Sequence, residues 1–177
     1  TRPLAGSYQQ ENIVTVRVAV DHLLKLDWKI DEDSIQKGIT NVITNTGLHG
    51  RWETISYSPL IILDVAHNEH GIKALLEQLD TLSYQQLHII TGMVKDKDIN
   101  AVLNLLPKNA NYYYTQSHLP RALPSNELAA IASAIGLKGL EFENVNIALD
   151  TAKKNANPND LIIVIGSIFL VAEVTRN

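Results

Sequence analysis

The sequence predicts an α/β fold: a mostly parallel sheet with helices on both faces and an antiparallel edge strand, preceded by a helical pair. Beyond residue 50, short apolar runs alternate with helical patterns, the order in which βαβ crossovers build a parallel sheet. The last run, Leu161-Ile162-Ile163-Val164-Ile165, is apolar at every position, as a strand covered on both faces requires. Residues 1–47, in contrast, contain helical periodicity and nothing strand-like.

The first helix is expected from Gln10 to Leu26, where Ile13, Val14, Val16, Val18, Ala19, Val20, Leu23, Leu24 and Leu26 leave Arg17, Asp21, His22 and Lys25 on the other side. A second follows the acidic capping run Asp31-Glu32-Asp33-Ser34, carries Ile35, Ile39, Val42 and Ile43, and stops at Asn45-Thr46-Gly47. A pair this short cannot bury both of its faces, so it is expected to pack on something larger. Trp52 to Tyr57 alternates and joins Leu60–Leu63 through Ser58-Pro59, which predicts an antiparallel edge strand formed by a hairpin. Four further strands are expected at Leu87–Ile90, Tyr112–Tyr114, Leu140–Phe142 and Leu161–Ile165, with helices near 70–82, 96–106, 125–135 and 145–156. The sheet is therefore Rossmann-like, and the texture changes at Gly50-Arg51, dividing the chain into residues 1–49 and 50–177.

Composition narrows the function. The 177 residues suffice for one domain with a small appendage. Lys+Arg number 15 against 19 Asp+Glu, a net charge of −4 with no basic cluster, so a nucleic-acid surface has nothing with which to release counterions. No apolar run approaches the roughly 18 residues of a membrane helix, and no leader pattern opens the chain; a cytoplasmic protein without a membrane partner is expected. The absence of cysteine excludes disulfides, zinc–thiolate sites and cysteine nucleophiles.

In open parallel sheets ligands sit beyond the carboxyl ends of the strands, so the strand-to-helix junctions are where chemistry is expected. The first, Leu63-Asp64-Val65-Ala66-His67-Asn68-Glu69-His70-Gly71, delivers a carboxylate and an imidazole. Helix capping by Asp64 or Asn68 accounts for part of it; a metal held by Asp64, His67 and His70 is a weaker alternative, and nucleotide contact the stronger one. The second, Thr91 to Asp98, ends a strand in glycine and opens a helix with Asp96, Lys97 and Asp98, which solvated capping alone could explain. At the third, Val164-Ile165-Gly166-Ser167, main-chain N–H groups and a hydroxyl meet at a helix start, where an anion or a simple Ser167 cap would fit. Arg51, at the boundary, can pin two units or reach a phosphate.

These blocks occur in a recognisable order: Leu4-Ala5-Gly6-Ser7-Tyr8-Gln9-Gln10-Glu11-Asn12, Gly50-Arg51-Trp52-Glu53, Asp64-Val65-Ala66-His67-Asn68, Asp96-Lys97-Asp98, Pro120-Arg121-Ala122 and Gly166-Ser167-Ile168-Phe169-Leu170-Val171-Ala172-Glu173-Val174. The chain resembles the C-terminal part of the folylpolyglutamate synthase/dihydrofolate synthase family, in the Mur ligase superfamily, with Val65 and Glu69 where that family usually has Gly and Pro. The resemblance implies an ATP- and Mg²⁺-dependent ligase, a monomer at full length, that adds L-glutamate to a reduced folate or to dihydropteroate through an acyl phosphate. It implies ATP contacts from Asn12, Arg51, Asp64 and His67, a glutamate contact from Ser167, and no metal ligand in this chain. Asp96, Lys97, Asp98 and Arg121 receive no role from it. The family's phosphate loop has no counterpart here, so residues 1–49 are expected to be the last helices of an ATPase domain and the chain alone to be inactive. A nucleotide-binding Rossmann-like module and another Mur-type amino-acid ligase are the competing readings.

Overall fold

The computed structural model describes Leu4, Gly6 and residues 8–176; Ala5 and Ser7 of the first motif block lie outside the described residues. The chain divides into two compact units, Thr1–Trp52 and Glu53–Asn177.

In the first unit α1 spans Gln9–Lys25, α2 Glu32–Thr40 and α3 Val42–Thr46. The expected second helix is thus broken at Asn41 (φ −104°, ψ 17°), where the main-chain ladder closes on Lys37 O and restarts with Asn45 N–H donating to Asn41 O. Asn is a weak helix former, and the β-branched pair Ile39-Thr40 before it adds little helix preference. Asp31 caps α2 by accepting from Ser34 N–H at 2.7 Å. Arg17 clasps Glu32 with both nitrogens, at 2.7 and 2.6 Å. Most of the apolar side chains of α1 remain exposed, Val14 at 63% and Val18 at 52%.

The second unit is a six-stranded sheet: β1 Glu53–Tyr57, β2 Leu60–Leu63, β3 Leu87–Gly92, β4 Asn111–Tyr114, β5 Gly139–Glu141 and β6 Leu161–Gly166, in spatial order β1-β2-β6-β3-β4-β5. Only β1 runs antiparallel to its neighbour, confirming the expected hairpin. Its start at Glu53 follows from Trp52, whose φ of 53° is incompatible with a strand. The helices are α4 Glu69–Leu79, α5 Ile99–Leu103, α6 Ser125–Ala134, α7 Val145–Asn155 and α8 Ile168–Ala172. α5 is shorter than its pattern because Asp98, by accepting from Ala101 N–H at 3.0 Å, sets its start.

The pleat sorts the core. Ile61, Leu63, Ile90, Tyr113, Ile162 and Val164 share one face with Val145, Ala148, Leu149 and Ala152 of α7 and Leu170 and Val171 of α8. Their neighbours in sequence, Ile62, Ile89, Tyr112, Tyr114 and Ile163, point to the other face and are equally buried. The connections from β2 to β3, β4 and β5 run one way across the sheet and that from β5 to β6 runs back; right-handed crossovers then put α4, α5 and α6 on the face opposite α7.

Candidate functional site

That reversal makes the carboxyl end of β6, between β2 and β3, the point where chain leaves the sheet toward opposite faces, the usual place for a ligand crevice. Pairing of β2 and β6 continues past their ends: Asp64 N–H donates to Val164 O and Gly166 N–H to Ala66 O, both at 2.9 Å. Between these bonds Asp64, 3% exposed, turns its Oδ1 inward to accept from Ala66 N–H at 2.9 Å. The strand therefore ends in a fixed turn that presents His67. His67 Nδ1 lies 2.8 Å from Val65 O; a carbonyl can only accept, so Nδ1 carries the proton and, in the neutral ring, Nε2 is the basic nitrogen. Asn68 then caps α4, accepting from Gly71 N–H at 2.8 Å.

Two glycines let β3 and β6 finish in contact. Gly92 and Gly166 are register partners; a Cβ on Gly166, whose φ is +126°, would fall 2.2 Å from Gly92 O, and one on Gly92 would fall 2.7 Å from Thr115 O. Beyond the pair, Ser167 (8% exposed) accepts from Phe169 N–H at 3.2 Å. This is the capping role anticipated for it. α8 has only five residues, too short for its dipole to be the main attraction for an anion.

A cleft of about 150 Å³ opens at this edge, walled from the ends of four strands: His67 after β2, Met93, Val94, Asp96 and Lys97 after β3, Arg121 after β4, and Gly166 to Phe169 at the end of β6. It combines an apolar patch, Met93 and Phe169, with the cations Lys97 and Arg121 and the hydroxyl of Ser167. At the same edge of the sheet Thr91 and Thr115 bury hydroxyls that have no partner. Such a site suits a small, polar, anionic molecule better than an extended one.

Of the residues singled out in the sequence, Asp64, His67 and Ser167 share one edge of the sheet, with His67 and Ser167 on the cleft and Asp64 absent from its lining. Asn12 and Arg51 belong to the first unit. Asn12 lies on α1 and donates to Gln9 Oε1 at 2.9 Å, while Arg51 is exposed between Gly50 (φ 72°) and Trp52. Asp64, His67 and His70 do not form a metal cage; among the described residues no three His, Asp or Glu side chains do. Arg121 and Phe169 stand in the cleft without having been assigned a role from sequence. The block Pro120-Arg121-Ala122 was the available signal, but nothing local shows that the segment after β4 returns to pair with the turn after β3.

Residues 50–168 match the family described as Mur ligase, glutamate ligase domain. The chain is 36% identical over 142 residues, 77% of its length, to the dihydrofolate synthase/folylpolyglutamate synthase of Buchnera aphidicola subsp. Schizaphis graminum, of which it spans 33%. Among solved structures it is similar to E. coli FolC in complex with ADP, with TM-score 0.76, 30% identity, and coverage of 96% of this chain and 38% of that one. A bifunctional folylpolyglutamate synthase/dihydrofolate synthase with Mn, AMPPNP and L-glutamate bound gives TM-score 0.71, 29% identity and coverage of 87% and 36%. The chain thus spans about a third of the length of these relatives, and the match over residues 50–168, more than half of its length, shows that it belongs to the Mur ligase, glutamate ligase domain family.

Proposed function

We propose that this chain is the C-terminal portion of an ATP-dependent ligase that joins L-glutamate to a reduced folate or to dihydropteroate, working as a cytoplasmic monomer, and that the cleft at the end of β6 receives the glutamate. The observation that carries this reading is the convergence of Ser167, His67 and two cations on a small crevice at the strand-order reversal. It is supported by a relative with bound L-glutamate. Two carboxylates would be balanced by Lys97 and Arg121, and the Ser167 hydroxyl can donate to one of them while accepting from Phe169 N–H. The basic Nε2 of His67 can take the proton that the ammonium group must lose before its nitrogen attacks an acyl carbon.

The described residues fit the amino acid better than they fit a triphosphate and its metal: they contain no three-ligand metal cluster and the sequence has no glycine-rich loop with a lysine. In this reading ATP, when bound, activates the acyl group as a phosphate, and the phosphates and Mg²⁺ are held outside this chain. Residues 1–49 are then the end of the ATPase domain, whose missing neighbour would cover the apolar side chains of α1. Asp64 serves the nucleotide only through the turn it closes or by turning outward, and Arg51 and Asn12 serve it from the first unit.

Steady-state kinetics of the full-length enzyme with Ser167→Ala test the reading. KM for glutamate should rise about tenfold, the effect of one lost charge-assisted hydrogen bond, while KM for ATP stays within twofold. An unchanged KM for glutamate would remove Ser167 from the amino-acid site. A wild-type enzyme that releases no ADP in response to glutamate would remove the function.

A further inference from the structure

Arg121 has a fixed main chain and a loosely held side chain. Lys95 N–H donates to Arg121 O at 3.0 Å and Leu123 N–H to Met93 O at 2.9 Å, so the segment is paired, Val94 against Ala122, with the turn after β3. The guanidinium carbon stands 5.1 Å from the centre of the Phe169 ring, close enough for a cation–π contact that orients its plane. Its closest approach to Asp96 is Nη1 to Oδ2 at 3.6 Å, with both side chains more than half exposed. That distance exceeds a hydrogen bond. Arg17 and Glu32 show what a closed fork looks like in the same chain, with two contacts at 2.7 and 2.6 Å. Arg121 is therefore aimed, near a carboxylate, and unsatisfied in the two-point geometry that guanidinium groups favour.

We infer that Arg121 takes one carboxylate of the incoming dicarboxylic amino acid, and that Asp96 is a placeholder that keeps the guanidinium over Phe169 until the substrate displaces it. The inference rests on reading the cleft as the amino-acid site. It makes Asp96 a competitor of the substrate, so neutralising Asp96 should help glutamate bind, the reverse of what removing a supporting residue would do. A surface ion pair is weak enough to be exchanged for a two-point contact with a ligand at little cost.

The full-length ligase, assayed at saturating ATP and acyl acceptor with L-glutamate varied, decides it. Asp96→Asn should lower KM for glutamate by up to about fivefold, the largest factor an exposed ion pair supports. Arg121→Gln should raise it tenfold or more, and Arg121→Lys, which keeps the charge without the fork, should fall between. In the Arg121→Gln background Asp96→Asn should have no further effect. A KM raised by Asp96→Asn would overturn the placeholder, as would an Asp96→Asn effect that persists without Arg121 or appears in kcat instead of KM. An unchanged KM in both Arg121 variants would overturn the role of Arg121 while leaving a glutamate-dependent wild-type enzyme, and with it the amino-acid site, intact. Loss of the parent reading looks different: no glutamate dependence in the wild type.

Discussion

At the amino end of the sheet a buried carboxylate accepts from the chain entering β3 and from the turn before β6, and its removal should be costly. Asp160, 2% exposed, accepts from Asn157 N–H at 2.7 Å, Gln86 N–H at 3.1 Å and Asn157 Nδ2 at 3.3 Å, and its own carbonyl accepts from Leu60 N–H at 3.2 Å. The entrances of β2, β3 and β6 are thereby tied to one residue. Asp160→Ala leaves two main-chain donors without an acceptor; at about 1–3 kcal/mol for each buried donor, discounted because water reaches the exposed Asn157, the loss should be about 2–4 kcal/mol. Asp160→Asn keeps one oxygen acceptor and should lose about half as much. Urea unfolding of the chain at neutral pH, followed by far-ultraviolet circular dichroism, reads both values from the midpoint. A loss under about 0.5 kcal/mol for the alanine variant would show that the carboxylate does not carry the junction.

Acid should act through the same residue. His88, buried beside it with Nε2 3.5 Å from Asp160 Oδ2 and Nδ1 3.0 Å from Tyr113 Oη, is pushed below its ordinary pKa by burial, against the opposing pull of Asp160. Asp160 is held below the usual carboxylate range, first by its bond from Asn157 N–H. Both folded-state values lie under the unfolded ones, so in each interval the unfolded chain binds more protons and stability is lost as the solution is acidified. The His88 loss begins as pH drops through about 6.5 and the Asp160 loss through about 3.9. Asp160→Asn should abolish the second loss and lower the His88 pKa further, which histidine ring NMR would follow; an upward move would mean that the charge of Asp160 does not reach His88.

Two other substitutions probe the frame of the cleft. Gly166→Ala places a Cβ 2.2 Å from a carbonyl oxygen at a φ of +126°, so a loss of about 3 kcal/mol or more, or an insoluble chain, is expected; a stable, soluble variant would show that β3 and β6 separate easily. Tyr114→Phe removes the hydroxyl that donates to Leu137 O at 2.7 Å and should cost about 1–2 kcal/mol without altering KM for glutamate, whereas a changed KM would connect the aromatic strand to the site.

What could be read from sequence follows the range of the interactions involved. The strands and the edge hairpin were legible because burial on one or two faces writes a period into adjacent residues. Capping by Asn68, Asp98 and Ser167 was legible because its bonds span two or three residues. The break at Asn41 was not, because the apolar spacing of Ile35, Ile39, Val42 and Ile43 runs straight through it. The wall of the cleft formed by Arg121 was hidden for a different reason: it depends on a bridge between residues 94 and 122, and no local pattern encodes a pairing at that separation. The motif blocks brought His67 and Ser167 forward, yet only the register of β2 on β6 places them together.

The two borders of the sheet also bear on how the protein behaves in a crowded solution. A sheet border is a row of unused main-chain donors and acceptors that another chain can copy. Here one border is β1, whose pairing slips between Thr54 and Ser56, and a bulge of that kind bends and twists a strand away from regular pairing. The other is β5, three residues long and exposed throughout. Neither offers a straight template of useful length, so the apolar central strands, which would be the most dangerous segments of this sequence if uncovered, are kept four and six residues long and inside. Resistance to strand-by-strand aggregation is thus expected from its two short or irregular border strands rather than from its core.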